Sequence, residues 1–254
     1  MSRLSRRLIL LAIAFALGLA LFLPARLLES PIQSQLAPAQ VALRGTVWSG
    51  RGMFRNAAAS IPFAWQFEPA ALLRLRAGWR VELLAPALSG AASIGSNFSN
   101  IEIRRADLSA DASLLPQLHS AAAIVGLMQP AGRVSLTVAE ALTAGYGSVP
   151  AVHGNALIKA EAFTLGSLAP QPLGSYQLQL AARDNIVDYR MIESAGLLKL
   201  DGGGSITLAG RRQFSYAGHA TADAALPARL RSSLQAAGRP LPDGRLRIDY
   251  KAAW

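Results

Sequence analysis

The sequence predicts a mainly β protein that begins with one transmembrane helix, and two observations lead to this prediction. Residues 8–23 read LILLAIAFALGLALFL, sixteen positions without a charge. From residue 41 onward, many short segments alternate apolar and polar residues, and Gly, Pro, Asn or Asp separate them. Alternation with a period of two places the apolar side chains on one face of a strand. We therefore expect an antiparallel β domain, built as a curved sheet or a sandwich, with one or two short covering helices.

The apolar segment is long enough to cross a bilayer. With the two residues that follow, it reaches the roughly 17–25 residues that span a hydrocarbon core of about 30 Å. Three arginines precede the segment, and a single one follows it directly. Because basic flanking residues remain on the cytoplasmic side, Arg3, Arg6 and Arg7 predict a cytoplasmic N-terminus.

This topology divides the chain into four regions. They are a cytoplasmic tail (1–7), an anchor (8–25), a connector (26–40) and a β-rich periplasmic domain (41–254). A cleaved signal peptide is the alternative, since the apolar core of a signal can approach this length. No small-x-small cleavage site follows the segment, which favours an uncleaved anchor. A weak division of the β-rich domain falls near residues 148–150, where two similar halves would meet.

Composition excludes several classes of function. The chain has 25 basic and 15 acidic residues, and only three of the basic residues are lysines. An arginine-preferring genome explains this surplus, and attraction to anionic lipid or acidic protein is the alternative. No basic run with interleaved aromatic residues suggests nucleic-acid binding. The chain has no cysteine, which excludes thiol catalysis and cysteine-ligated metal sites.

Six segments show the alternation most clearly, and we expect each to form a strand. Their apolar positions are Phe63, Trp65 and Phe67; Ile101 and Ile103; Val134, Leu136 and Val138; Tyr176, Leu178 and Leu180; Ile206 and Leu208; and Leu246, Ile248 and Tyr250. Residues 202–204 are three consecutive glycines, which we expect to form a flexible hairpin turn.

Two segments have helical rather than strand character. Residues 69–75 begin with a proline, which is favourable in the first turn of a helix. Leu226, Leu230 and Leu234 recur every four residues, with Pro227 near the start and Gly238 near the end. This pattern predicts an amphipathic helix that covers the sheet. A helix lying on a membrane is the alternative.

The sequence offers no convincing catalytic or metal-binding arrangement. His119, His153 and His219 lack a second ligand at the spacing of a known zinc motif. Two carboxylate pairs, at residues 107 and 111 and at residues 184 and 188, lack the acidic density that calcium requires. We therefore expect a protein that is not an enzyme and uses no cofactor or metal.

Three segments carry a resemblance to a known family. Residues 43–52, LRGTVWSGRG, resemble the G-T-[LV]-W-x-G signature of type II secretion system protein N, also called general secretion pathway protein N. Residues 65–73 resemble the W-x-x-x-P-x-x-L-L segment that follows in that family, with the proline at the fifth position. Residues 234–250 resemble the family's C-terminal ending, and the order behind an apolar segment also matches.

The resemblance implies a location, a function and a set of partners. It implies a bitopic protein of the bacterial inner membrane whose periplasmic domain contacts other type II secretion subunits. Such contacts would support export of folded periplasmic proteins across the outer membrane. The motif residues that could form a docking site are Gly45, Thr46, Trp48, Gly50, Trp65 and Pro69.

Physical reasoning leaves alternatives open for the motif and for the function. Gly45 and Gly50 bracket Val47 and Trp48. A core strand bounded by turns is a simpler interpretation of this segment than a docking site. The segment from Trp65 onward also resembles the start of AsmA-like proteins. Those anchored periplasmic proteins use an apolar β groove to bind or transfer lipid, which would make lipid a partner.

Overall fold

The computed structural model describes residues 18, 22–36, 39–56, 59–97, 100–114, 129–139, 142–145, 152–208 and 213–253. The chain divides into two compact units, an N-terminal unit (Met1–Ala85) and a C-terminal unit (Pro86–Trp254). The predicted anchor lies almost wholly outside the described residues, as do Arg3, Arg6 and Arg7 and the division near residues 148–150. No helix within the described ranges combines the length and the apolar character needed to cross a membrane.

The N-terminal unit is an antiparallel meander of four strands. Its elements are a 3-10 helix (Ala25–Leu28), α1 (Glu29–Leu36), β1 (Gln40–Gly45), β2 (Ser49–Arg55), β3 (Ser60–Phe67), a second 3-10 helix (Pro69–Arg74) and β4 (Ala77–Ala85). Each of these strands pairs with the next one in the chain. The segment predicted as a connector is therefore helical over most of its length.

Helix α1 covers the free edge of β1. The backbone N–H of Val41 donates to Gln33 Oε1 at 2.9 Å, and that of Leu43 donates to Glu29 Oε1. The Gln33 amide also donates to the carbonyl of Ala39. Glu29 and Gln33 are four residues apart, so both side chains lie on one face of the helix. The side chains replace the partner strand that an exposed sheet edge would otherwise attract.

The C-terminal unit confirms the predicted antiparallel strands. Its strands pair in the order β5-β6-β7-β9-β10-β11-β12-β13-β15-β14, and β8 pairs with β6 and β9. Their bounds are β5 (Leu88–Ser96), β6 (Asn100–Asp111), β7 (Pro130–Val138), β8 (Leu142–Gly145), β9 (Val152–Leu165), β10 (Ala169–Arg183), β11 (Ile186–Gly196), β12 (Leu198–Thr207), β13 (Gln213–Ala222), β14 (Arg239–Pro240) and β15 (Leu246–Ala253). A 3-10 helix (Ala112–Leu114) follows β6, and α2 (Ala228–Ala237) follows β13.

The prediction of a hairpin turn at residues 202–204 is wrong, because these glycines lie inside β12. The backbones of the flanking strands explain their presence, since a Cβ at each of the three would lie at most 2.4 Å from a carbonyl oxygen. A Cβ at Gly204 would lie 2.7 Å from Tyr189 Oη, and a Cβ at Gly218 would lie 2.7 Å from Tyr216 Oη. The two hydroxyls donate to the carbonyls of Ser215 (2.7 Å) and Asp201 (3.1 Å). Gly204 and Gly218 thus also make room for tyrosine rings that bond across the strands.

The core of the C-terminal unit lies between the sheet and α2. Leu226 and Leu230 are buried against leucines of the sheet, and Leu234 packs at the margin of this cluster. The buried sheet residues are Ala169, Leu173, Leu198, Ala220 and Leu246. The predicted covering role of the helix is therefore confirmed, with Pro227 immediately before its first residue.

Candidate docking site

The glycine-tryptophan motif forms the hairpin loop between β1 and β2. Gly45 ends β1 and pairs with Gly50 of β2. The Thr46 N–H donates to the carbonyl of Ser49 at 2.9 Å and closes the loop. Gly45 has φ +113°, and a Cβ there would lie 2.6 Å from the Ser49 oxygen. The interpretation of residues 46–48 as a core strand is therefore wrong, because Gly45 turns the chain before it can extend.

Two tryptophan rings hold this loop from the neighbouring strands. Trp65 on β3 donates its indole N–H to the Thr46 carbonyl at 3.1 Å. Trp79 on β4 donates its indole N–H to the Val47 carbonyl at 2.9 Å. The backbone N–H of Phe67 donates to the Trp48 carbonyl at 2.6 Å. Three consecutive loop carbonyls are thus bonded to β3 or β4, which fixes the loop conformation.

Aromatic rings pack beneath the loop in edge-to-face contacts. The centroids of Trp48 and Phe67 are 4.7 Å apart, and those of Phe67 and Trp79 are 5.8 Å apart. Such contacts contribute roughly 0.5–1.5 kcal/mol each beyond the area that they bury. Trp48 is half-buried, so part of its ring remains accessible.

Glycines of β2 accommodate the rings of β3. A Cβ at Gly50 would lie 2.5 Å from Trp65 Cζ2, and a Cβ at Gly52 would lie 2.3 Å from Phe63 Cζ. Both distances are far below van der Waals contact. Gly50 therefore has a packing role in the motif, because its missing side chain allows Trp65 to reach the loop.

The chain that leaves the predicted anchor is bonded to the same loop. The Val47 N–H donates to the Leu23 carbonyl at 2.9 Å. Pro24 and Thr46 form an isolated antiparallel bridge. The last residues of the apolar segment thus meet the motif directly. This contact depends on the fold, since Leu23 and Val47 are 24 positions apart in the sequence.

Pro69 begins the 3-10 helix between β3 and β4. Its position at the start of that helix matches the predicted helical turn. The structure therefore groups Gly45, Thr46, Trp48, Gly50 and Trp65 around one loop and places Pro69 at the end of the adjoining strand. Their role in docking remains a prediction.

Trp79 is a member of this cluster that sequence reasoning missed. It pairs with Phe67 across β3 and β4. The alternation of Trp79, Val81 and Leu83 could have indicated a strand. Its hydrogen bond to the loop depends on the position of the Val47 carbonyl in the fold, and the alternation of the strand gives no information on that position.

Each histidine of the described residues lies near a single aspartate. His153 lies 3.5 Å from Asp184, and His219 lies 3.8 Å from Asp201, both near the surface. No group of three metal-ligating side chains occurs in the described part of the chain. His219 and Asp201 line a surface cavity of about 290 Å³ with Lys199 and Glu193. His119 lies outside the described residues.

A family model described as "Type II secretion system (T2SS), protein N" matches residues 40–249. The chain belongs to this family. The match begins at the first residue of β1 and ends within β15, so it includes both units. The family consists of secretion-system components and is not a known enzyme family. Comparison with curated proteins and with solved structures finds no match.

Proposed function

We propose that this chain is a non-enzymatic, single-pass protein of the bacterial inner membrane that acts through contacts with other type II secretion subunits. Those contacts support export of folded periplasmic proteins across the outer membrane. Family membership over residues 40–249 carries the proposal. In this proposal residues 8–25 are the anchor, Arg3, Arg6 and Arg7 keep the N-terminus in the cytoplasm, and both β units are periplasmic.

The geometry of the β1–β2 loop supports a role in binding another secretion subunit. Its backbone is already fixed by the bonds from Trp65, Trp79 and Phe67. A fixed loop loses little conformational entropy when a partner binds, which favours affinity. Arg44 at the end of β1 and Ser49 at the start of β2 are exposed, and Trp48 between them is partly accessible. Tryptophan and arginine are common anchor residues of protein interfaces.

An anchor would strengthen a weak contact. A domain tethered to the membrane meets other membrane-bound subunits at a high effective concentration. The bond between Val47 and Leu23 supports this, because in the proposal Leu23 belongs to the last turn of the anchor. A neighbouring subunit of the inner membrane is therefore the partner that the loop would meet first.

Crosslinking from the loop tests this contact. A photoreactive amino acid replaces Ser49 in the full chain, in cells that assemble the secretion system. We expect a crosslink to an inner-membrane secretion subunit. Ser60 is the matched control, because it is an exposed serine at the opposite end of the same sheet. Equal crosslinking from both positions, or none from residue 49 during active secretion, would refute docking through this loop.

A further inference from the structure

Three exposed leucines form a patch on the connection between β3 and β4. Leu72, Leu73 and Leu75 are 55%, 90% and 93% exposed, and we name them the leucine patch. Ala71 is buried and fixes the 3-10 helix that carries the patch. Most apolar side chains of this size are buried in folded proteins, so a cluster this exposed indicates contact with something apolar.

The backbone holds the patch in one conformation. Leu75 has φ 54°, in the left-handed region that residues with a side chain seldom adopt. Its N–H donates to the Leu72 carbonyl at 2.9 Å, and the next N–H, of Arg76, donates to the Ala71 carbonyl at 3.2 Å. These bonds close the turn and direct Leu75 to the outside. The leucine patch is thus a built feature of the connection.

Basic residues accompany the leucines. Arg74 lies within the patch and is exposed, and no acidic residue occurs between residues 69 and 81. Residues 22–85 contain seven arginines and three acidic residues, whereas residues 86–254 contain fifteen basic and twelve acidic residues. The positive surplus is therefore concentrated in the N-terminal unit. Leucine and arginine side chains together suit the interface of a membrane with anionic lipids.

The patch lies at the end of the sheet where the apolar segment arrives. In a four-stranded meander, the β1–β2 loop and the β3–β4 connection are at the same end. Val47 in the first of these bonds to Leu23, the last residue of the apolar segment. Phe22 and Leu27, which flank that junction, are 78% and 62% exposed. The exposed apolar residues and the exit of the segment thus share one end of the unit.

We propose that this end of the N-terminal unit rests on an anionic bilayer surface. Leu73 and Leu75 enter the boundary between headgroups and acyl chains, and Arg74 binds lipid phosphates. The inference rests on the proposed membrane location and adds a second attachment to the anchor. With two attachments the unit has a fixed height above the membrane. The β1–β2 loop then faces other inner-membrane subunits rather than open solvent.

Fluorescence quenching by lipid tests the contact. The chain has no cysteine, so Leu73→Cys in the full chain provides a single labelling site. The labelled protein is reconstituted in vesicles of phosphatidylethanolamine and phosphatidylglycerol with brominated acyl chains. We expect the fluorophore at residue 73 to be quenched. Leu84→Cys is the matched control, because Leu84 is 50% exposed at the far end of β4 and should not be quenched.

Neutralising one arginine tests the role of charge. Arg74→Gln in the Leu73→Cys protein should weaken the surface contact roughly fivefold, the effect of one arginine at an anionic surface. Arg55→Gln changes an exposed arginine at the opposite end of the sheet and should have no effect. Loss of quenching in high salt would support the same electrostatic contribution.

Three results would overturn the proposal in distinguishable ways. Protein that floats with the vesicles but shows equal, weak quenching at residues 73 and 84 would refute the surface contact and leave the anchor intact. Protein that fails to float would refute both the contact and the membrane location. In native membranes, a crosslink from residue 73 to a secretion subunit without lipid quenching would identify a protein as the occupant.

Discussion

Trp65 and Trp79 stabilise the motif loop through their ring nitrogens. A loop carbonyl that is half-buried and unpaired would be costly, and each indole N–H supplies a donor. A typical hydrogen bond of this kind contributes about 1 kcal/mol. The motif supplies the glycines that form the hairpin and leave room for the Trp65 ring. The hydrogen bonds that fix the hairpin come from Trp65 and Trp79 on β3 and β4.

The close approach of Trp65 to β2 predicts the effect of Gly50→Ala. A Cβ at this position would lie 2.3 Å from the Arg44 carbonyl oxygen as well as 2.5 Å from the Trp65 ring. Because backbone on one side and a packed ring on the other must move, we expect a loss of about 1–3 kcal/mol in the free energy of unfolding. Urea denaturation of the purified full chain measures it. Gly166→Ala is the control, since its nearest contact would be 3.4 Å; equal stability of the two variants would contradict the packing argument.

The tyrosines of the C-terminal unit predict a loss of stability at high pH. Burial raises the pKa of Tyr176 to about 12, and burial together with Tyr216 raises that of Tyr189 to about 12. The unfolded chain has tyrosine pKa values of about 10, so the folded state binds these protons more tightly. The contribution of these tyrosines to the free energy of unfolding should therefore be fully present below about pH 10 and should fall as the pH rises from about 10 to 12.

Tyrosinate absorbance and urea unfolding across this pH range measure the effect. In Tyr176→Phe the free energy of unfolding should fall less steeply with pH, although the variant also loses the bond to the Leu198 carbonyl. The slope with pH separates titration from the lost hydrogen bond. An unchanged slope would show that Tyr176 is not the group that titrates.

At the scale of elements, α2 completes the core of the C-terminal unit. The spacing of three leucines predicts an amphipathic helix, and the structure shows that Leu230 in α2 and Leu226, two residues before its start, are buried. Leu230→Ala removes a buried side chain and should cost roughly 2–5 kcal/mol in the free energy of unfolding. Gln235→Ala, an exposed change on the same helix, should stay within about 0.5 kcal/mol. Chemical denaturation compares them, and similar values would argue against a core role for α2.

The role of helix α1 depends on the neighbouring strand β1. Residues 26–40 contain two prolines and no long apolar stripe, which favoured a connector. Glu29 and Gln33 accept hydrogen bonds from the edge of β1, so the helix forms where the strand offers unpaired donors. Sequence alone gives no sign of this pairing, because the donors are backbone groups.

At the scale of the whole molecule, the proposed anchor predicts a separation of function from folding. Replacing residues 1–22 by a cleavable signal would release the β units into the periplasm and keep Leu23 and Pro24, which contact the β1–β2 loop. We expect weaker secretion because the effective concentration at the membrane falls, with far-UV circular dichroism and unfolding of the β units unchanged. Secretion assays in cells lacking the native chain measure it. Full secretion by the released form would refute the need for an anchor.

N-terminal sequencing of the mature native protein provides the accompanying control. A mature protein whose first residues are those of the printed sequence would support an uncleaved anchor. A start near residue 26 or later would instead indicate a cleaved signal peptide. In that case the native β units are already released by cleavage, and the replacement should leave secretion unchanged.

The strands of both units could be predicted from the sequence, whereas the structural roles of the glycines and tryptophans could not. Alternation marked β3, β6, β7, β10, β12 and β15, since a one-sided sheet forces this pattern on its sequence. Glycines suggest turns in a single sequence, yet residues 202–204 lie within β12, where the backbone of neighbouring strands occupies the space of a side chain. A cross-strand neighbour cannot be inferred from local sequence.

The sequence by itself determined the period of the strands, the leucine stripe of α2, the family motif and the apolar segment with its flanking arginines. Each of these is a local property, written in consecutive or regularly spaced residues. Only the tertiary structure brought Trp65 and Trp79 to the loop, joined Leu23 to Val47 and left Leu73 and Leu75 exposed at that end. These relations depend on register between strands, which links residues far apart in the chain through hydrogen bonds and packing.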